Sequence, residues 1–231
     1  WNSMYRHSEK QKKRLYIKHI LRVNNEMKIS HMTTTNTLGP GKRFVIWMQG
    51  CKKNCVGCIN PEGRNLDGGY KITVEDIMER LSKHPDLVGV TISGGEPFLQ
   101  FDELQKLIQR IKQETMLDIM LYSGYTLEHL KQMIPDSMKF FENIDIFVDG
   151  EYIQEKNENE MYRGSSNQKI YFFTDRYKAW QEKIMQSKSR NFSFEVKENG
   201  EVLFVGIPPK GFYEKFLEKI GGYNDERKKS I

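Results

Sequence analysis

The sequence predicts an α/β protein: an open, partial (β/α) barrel of parallel strands with a small C-terminal α/β-hairpin extension. Two observations carry the prediction. Short runs rich in β-branched and aromatic residues recur between residues 44 and 173. Segments of helical periodicity, about 8–14 residues long, separate them, which is the pattern of parallel βαβ units with right-handed crossovers. Five such strands are too few to close an eight-stranded barrel.

Each element has a local reason. The turn Gly39-Pro40-Gly41 precedes the apolar run 44–49, which reads as the first buried strand. Thr73 is placed to cap a helix over 74–83, with Asp76 three residues on. The run 88–93 is the second strand. Asp102 is placed to cap the next helix, whose Leu104, Leu107, Ile108 and Ile111 share one face. A third strand spans 119–122, and Thr126 caps a short helix reaching about residue 134. The runs 144–148 and 170–173 complete the set as a fourth and a fifth parallel strand. Beyond residue 177 the pattern is a helix, a hairpin turning at Glu198-Asn199-Gly200, and a helix near 211–220.

The 231 residues suit one domain with appendages: a basic extension over 1–26, a core over 27–176 and a C-terminal extension over 177–231. With 38% hydrophobic and 12% aromatic residues the chain can bury a real core, which excludes wholesale disorder. No apolar run approaches the roughly 18–20 residues of a membrane helix, and no apolar signal-like stretch opens the chain, so the expected location is the cytoplasm. The net charge of +5 is confined to residues 1–26, so the body carries no electrostatic footprint for nucleic acid. The basic segment reads as a solvated extension, with contact to nucleic acid or to an acidic partner as the alternative.

The three cysteines, Cys51, Cys55 and Cys58, fall in one span of eight residues with C-x3-C-x2-C spacing. An odd count in a reducing compartment argues against a disulfide framework and for a metal site. Three thiolates on one loop can hold three irons of a 4Fe–4S cube, leaving the fourth iron for another ligand. The alternative is a zinc site completed by a histidine, although His31 and His84 are not at finger-like spacing. After the second strand come Gly94-Gly95-Glu96-Pro97. The glycines allow close backbone approach, and their open N–H groups are expected to bind the polar end of an amino acid. Alone this is a common strand-to-helix turn. The cysteines, this turn, the stretch 122–126 and Asp149-Gly150-Glu151 all follow strand ends, where α/β folds place ligands.

Cys51 to Cys58 followed by Gly94-Gly95-Glu96-Pro97 resembles the radical S-adenosylmethionine (SAM) superfamily. Within it the sequence is most similar to activating enzymes of glycyl-radical enzymes, especially those of anaerobic ribonucleotide reductase. Gly39-Pro40-Gly41, Arg43, Gln49-Gly50-Cys51, Ser123-Gly124-Tyr125-Thr126 and Arg163-Gly164-Ser165-Ser166-Asn167-Gln168 support that subgroup. The resemblance spans roughly residues 27–174. It implies that Cys51, Cys55 and Cys58 ligate a 4Fe–4S cluster whose open iron takes SAM. It implies that Gly94, Gly95 and Glu96, with Pro97 stiffening the turn, bind the methionine amino end. Gly57 and Ile59 would touch the adenine through backbone groups, and Ser123 the ribose or the methionine carboxylate. The implied chemistry is one-electron cleavage of SAM to a 5′-deoxyadenosyl radical. The implied partners are a large glycyl-radical enzyme and an electron donor such as a flavodoxin or ferredoxin. Gly57 departs from the superfamily's usual aromatic residue before the third cysteine. The segments 1–26 and 177–231, including Ile207-Pro208-Pro209-Lys210-Gly211-Phe212, exceed the compact activase core.

Other residues have plainer readings. Asp149 either faces the pocket or fixes a strand-end turn. Arg163 and Asn167 belong to a loop near the site. Trp47 reads as core, His129 as solvated, and the scattered methionines as core filling. Two further functions remain on this reading: a radical SAM enzyme acting on a peptide or small molecule, and a non-catalytic, metal-stabilised adaptor.

Overall fold

The computed structural model describes residues 26–196 and 202–219. The basic segment up to residue 25 and the predicted turn at Glu198-Asn199-Gly200 lie outside the described residues. The chain runs β1 (Glu26–Thr35), β2 (Arg43–Met48), β3 (Tyr70–Thr73), α1 (Val74–Ser82), β4 (Gly89–Gly94), α2 (Phe101–Glu114), β5 (Asp118–Tyr122), α3 (Leu127–Met133), α4 (Ser137–Phe141), β6 (Ile146–Asp149), β7 (Lys169–Phe172), α5 (Lys178–Gln186), β8 (Phe192–Val196), β9 (Val202–Gly206) and α6 (Phe212–Lys219). Among the described residues no helix is long and apolar enough to cross a membrane.

Seven strands form one sheet in the order β3-β1-β2-β4-β5-β6-β7, and β8 and β9 form a separate hairpin. The centre is parallel, with Trp47 opposite Ser93 and Ile92 opposite Leu121. Both edges are antiparallel. The expected fifth parallel strand is therefore a correction: Ile146 pairs with Phe172 and Asp149 with Lys169 in opposite senses. A parallel return needs a crossover, usually a helix, to carry the chain back across the sheet. Residues 150–168 contain only a 3-10 turn at Gln154–Lys156, so the chain turns back on itself at the same end. Two strands, β1 and β3, were not expected. Residues 26–35 mix Lys, His and four threonine or serine side chains with Met27 and Ile29, and only these last two are fully buried. β1 is paired on both sides, by β3 and β2, but a strand with one lightly covered face has a weak apolar signal.

One face of the sheet carries the main core. Phe44, Ile46 and Met48 of β2 alternate onto it beneath α1, α2 and α3. The capping and periodicity expected of the helices hold, with one exception. Thr73 Oγ1 accepts from Asp76 N at 3.1 Å, and Thr126 Oγ1 accepts from His129 N at 3.2 Å. Leu104, Leu107, Ile108 and Ile111 are all buried on one stripe of α2. Asp102 does not cap that helix. It lies in the first turn, because Pro97–Gln100 forms a 3-10 turn ahead of it and Glu96 caps that turn instead.

The opposite face of β2 presents Arg43, Val45 and Trp47. Trp47 is half-buried, lies 5.6 Å from the His31 ring, and packs with Leu38, Val45, Val205 and Ile207, so the C-terminal hairpin covers it. At the base of the sheet Arg43 is completely buried. Its Nε donates to Thr91 Oγ1 (2.7 Å), Nη1 to the Pro40 carbonyl (3.0 Å), and Nη2 to the Val90 carbonyl (2.8 Å) and Asp118 Oδ1 (2.5 Å). Tyr177 Oη donates to the other Asp118 oxygen at 2.6 Å. The turn before β2 wraps this guanidinium: Gly39 has φ +129°, and a Cβ there would meet Arg43 Cδ at 2.6 Å.

Arg43→Met should therefore leave the buried Asp118 charge with only the Tyr177 hydroxyl and the Arg176 guanidinium, 3.8 Å away, and lower unfolding free energy by up to ~3–5 kcal/mol. Urea unfolding measures this. The double variant Arg43→Met, Asp118→Leu should recover most of the loss, because neither partner is then stranded.

Candidate active site

The site stands at the carboxyl ends of the four parallel strands. After β2, Gly50 (φ +94°) turns the chain into the cysteine loop. Cys51, Cys55 and Cys58 are half-buried free thiols on that loop. Cys58 N donates to the Cys55 carbonyl at 3.3 Å, and Lys53 N donates to Cys51 Sγ at 3.4 Å. Burial pushes the Cys51 and Cys55 thiols up. Gly57 has φ +70°, and a Cβ there would lie 2.5 Å from Gln154 Oε1. This left-handed turn favours glycine, where the superfamily usually has an aromatic residue. Val56 (74% exposed) and Ile59 (49%) flank the loop as apolar groups facing outward.

The Gly94-Gly95-Glu96-Pro97 turn abuts this loop. Gly94 has φ +102°, and a Cβ there would meet Met48 N at 2.5 Å. A Cβ on Gly95 would collide with the Gly50 carbonyl and lie 2.8 Å from the Gly63 oxygen. The expectation of an open N–H group is corrected at Gly95. Gly95 N donates to the Met48 carbonyl (2.7 Å) and Glu96 N to the Gly50 carbonyl (2.8 Å). The missing side chains let the β4 exit press against the β2 exit, which is what uses up these donors. On the other side the ladder between β4 and β5 ends at Ile92 and Leu121, so Ser93, Gly94 and Gly95 lie past its last pair.

Glu96 is 1% exposed. Its Oε1 accepts from Phe98 N (3.1 Å) and Ser123 Oγ (2.9 Å), and Oε2 from Gly124 N (2.7 Å). Burial pushes the carboxyl up, against these bonds, which pull it down. Ser123, itself buried, also accepts from Tyr125 N at 3.0 Å. Pro97 is buried at the start of the 3-10 turn. Asp149 takes its structural role: Leu127 N (2.7 Å), Lys169 N (3.1 Å) and Tyr171 Oη (3.2 Å) all donate to it. His129 is exposed and stacks on Tyr125.

Sequence reasoning missed the wall facing the cysteine loop. Lys53 Nζ reaches Glu151 Oε1 at 2.5 Å and lies 4.3 Å from the centre of the Tyr125 ring. The segment 150–154 behind Glu151 is held by the Arg163–Gln168 loop. Gln168 Oε1 accepts from Gly164 N (2.7 Å), its Nε2 donates to the Gly150 carbonyl (2.7 Å), and Ser165 Oγ accepts from Ile153 N (3.1 Å). Asn167 Nδ2 donates to the Glu151 carbonyl at 2.8 Å. Arg163 instead turns into the body, where Nη2 donates to the Met185 carbonyl at 3.3 Å. The quoted stretch 163–168 was the signal for this wall, but nothing in it names residues 150–154 as its target.

The donor set fits an iron–sulfur cluster. Three soft thiolates on one short loop suit iron. Among the described residues, no three His, Cys, Asp or Glu side chains converge as ligands of a single metal ion. His84 lies against Phe44, at the far end of β2, so it is not placed to complete a zinc site.

Residues 37–171 match the family described as the 4Fe-4S single cluster domain. The chain is 34% identical over 147 residues to the anaerobic ribonucleoside-triphosphate reductase-activating protein of Vibrio cholerae, covering 59% of this chain and 91% of that one. It is 31% identical over 144 residues to the protein of the same name from Escherichia coli, covering 58% and 90%. It belongs to this family of activating proteins. A pyruvate formate-lyase-activating enzyme of Listeria monocytogenes is 39% identical over 71 residues, 29% of each chain. The chain is thus a radical SAM enzyme, with a 4Fe–4S cluster and SAM as its cofactors.

Gly95→Ala should cost ~1–3 kcal/mol by overpacking against the Gly50 and Gly63 carbonyls. It should also displace the cysteine loop, so that Cys51 reacts faster with a thiol reagent. Thermal unfolding and labelling rates check both outcomes.

Proposed function

We propose that this enzyme holds its cluster through Cys51, Cys55 and Cys58 and installs a glycyl radical on a partner enzyme such as anaerobic ribonucleotide reductase. The observation that carries this reading is the pair of backbone bonds from Gly95 and Glu96 to the β2 exit, which bring the cysteine loop and the Gly-Gly-Glu-Pro turn into one site. When bound, the reduced cluster supplies the electron that cleaves SAM to methionine and a 5′-deoxyadenosyl radical, the hydrogen acceptor.

The chain's own residues orient the cofactor. An ammonium donates hydrogen bonds, so the methionine amino group needs acceptors. The backbone of Gly94 and Gly95, past the end of the β4–β5 ladder, supplies them, and the buried Glu96 carboxylate adds negative charge behind. Gly57 and Ile59 meet the adenine through backbone groups, and Ser123 lies on the side of the ribose and carboxylate. The parallel strands act as a partial (β/α) barrel whose open side admits a protein substrate. The electron comes from a flavodoxin- or ferredoxin-like donor.

A second reading, action on a peptide or small molecule, draws on one observation. The C-terminal hairpin seats Val205 against Leu38 and Val45, and Thr37 Oγ1 donates to the Val205 carbonyl at 3.1 Å. This unit lies beyond the stretch matched to the family, and it covers part of the face that a large partner would approach.

Anaerobic reconstitution with iron and sulfide, followed by reduction, should give a 4Fe–4S electron paramagnetic resonance signal that changes shape on adding SAM. Cys51→Ala, Cys55→Ala and Cys58→Ala should each abolish it. Adding anaerobic ribonucleotide reductase should produce a glycyl-radical doublet on the reductase. A SAM-responsive cluster with no such doublet would favour the second reading.

A further inference from the structure

The geometry points to Lys53 as a positioning residue that latches the cysteine loop across the mouth of the sheet and, with the cluster bound, favours its reduced form. This rests on the three-cysteine reading above.

Lys53 is not an ordinary surface lysine. Its side chain is only 23% exposed. Its stem passes over Gly124, where a Cβ would lie 3.3 Å from Lys53 Cγ, so the absent side chain makes the path. Its ammonium sits between the face of Tyr125 and the Glu151 carboxylate. Its own N–H donates to Cys51 Sγ. One residue thus joins the loop that leaves β2 to the ends of both β5 and β6.

The anchor is itself fixed. Asn167 and Gln168 hold the backbone carbonyls of Glu151 and Gly150, so the backbone that carries the half-exposed Glu151 carboxylate is fixed. Ion pairs between two mobile exposed chains contribute little, but one between a packed lysine stem and a carboxylate on a fixed backbone loses less freedom on forming.

The charge arrangement gives the latch a second consequence. The mouth gathers three thiols that ligate as thiolates, the buried Glu96 and Glu151. Lys53 places a cation among them. Reducing a cluster by one electron adds a negative charge, and a fixed neighbouring cation stabilises that state. Lys52, next in the chain but exposed, has no such anchor.

The test uses the full chain, reconstituted with iron and sulfide and poised with dithionite and mediators, reading the reduced-cluster signal against potential. At the wild-type midpoint, Lys53→Met should lower the ratio of reduced to oxidised cluster about tenfold, which is about 59 mV for one electron. Lys53→Arg should stay near wild type, and Lys52→Met should shift less than Lys53→Met. Glu151→Gln should raise the ratio, because it removes an anion and leaves the cation. Opposite signs for Lys53→Met and Glu151→Gln separate electrostatic bias from simple loosening of the loop, which would move both the same way. Shifts of the same sign, or none in either, overturn the inference. If Lys53→Met cannot retain iron, Lys53→Arg at the wild-type potential together with a raised ratio in Glu151→Gln sustains it, and a lowered ratio in Glu151→Gln overturns it. A wild-type protein that binds no cluster would instead sink the three-cysteine reading.

Discussion

The upper rim of the sheet depends on the buried carboxylate of Glu96. A chain of hydrogen bonds runs across the four parallel strands through it. Gly50 N donates to the Gly63 carbonyl, Glu96 N to the Gly50 carbonyl, Ser123 Oγ and Gly124 N to the Glu96 carboxylate, and Ser123 N to the Val148 carbonyl. Parallel strands end in separate loops with no hairpin to register them. Here one side chain and a few amides supply that register, fixing the cysteine loop relative to the turn that faces it. Burial works against the ionised carboxylate, and the three donors offset part of that cost, so the carboxyl remains pushed up.

The base of the sheet solves a different problem with the same kind of interaction. Arg43 and Asp118 are a fully buried pair whose remaining hydrogen-bonding capacity is met by Thr91, Pro40, Val90 and Tyr177. They join β2, β4, β5 and the approach to α5 on the face that a closed barrel would fill with apolar side chains. The base holds the strands and the rim holds the loops.

How far the sequence anticipated this follows from where each signal resides. The parallel strands and the helix stripes are periodic within short windows, and Thr73 and Thr126 cap as local chemistry requires. The cysteines and the Gly-Gly-Glu-Pro turn were visible because function compresses them into a few adjacent residues. Strand β1 was not, because its polar residues need no apolar alternation when one face is lightly covered. The direction of β7 was not either: an apolar run reads the same in both senses, and only the missing crossover helix decides. Lys53, Tyr125 and Glu151 were invisible as a group because 98 positions separate the ion pair and only the sheet brings them together.

The loop 150–168 explains how a sheet whose parallel run stops at β6 still presents a complete rim. Where another βαβ unit would have extended the parallel wall, the chain instead makes a loop pinned by its own side chains. Gln168 satisfies two amides and one carbonyl, and Ser165 satisfies a third amide. Their common effect is to hold Glu151 and Tyr152 upright beside the cysteine loop. Gly164 lets the Tyr152 ring lie close, since a Cβ there would sit 2.9 Å from it. A helix would have covered the outer face of the sheet but left its end bare. A braced loop does the reverse, and it returns the chain antiparallel as β7, which ends the parallel sheet. The antiparallel end of the sheet and the finished rim are therefore two results of the same replacement.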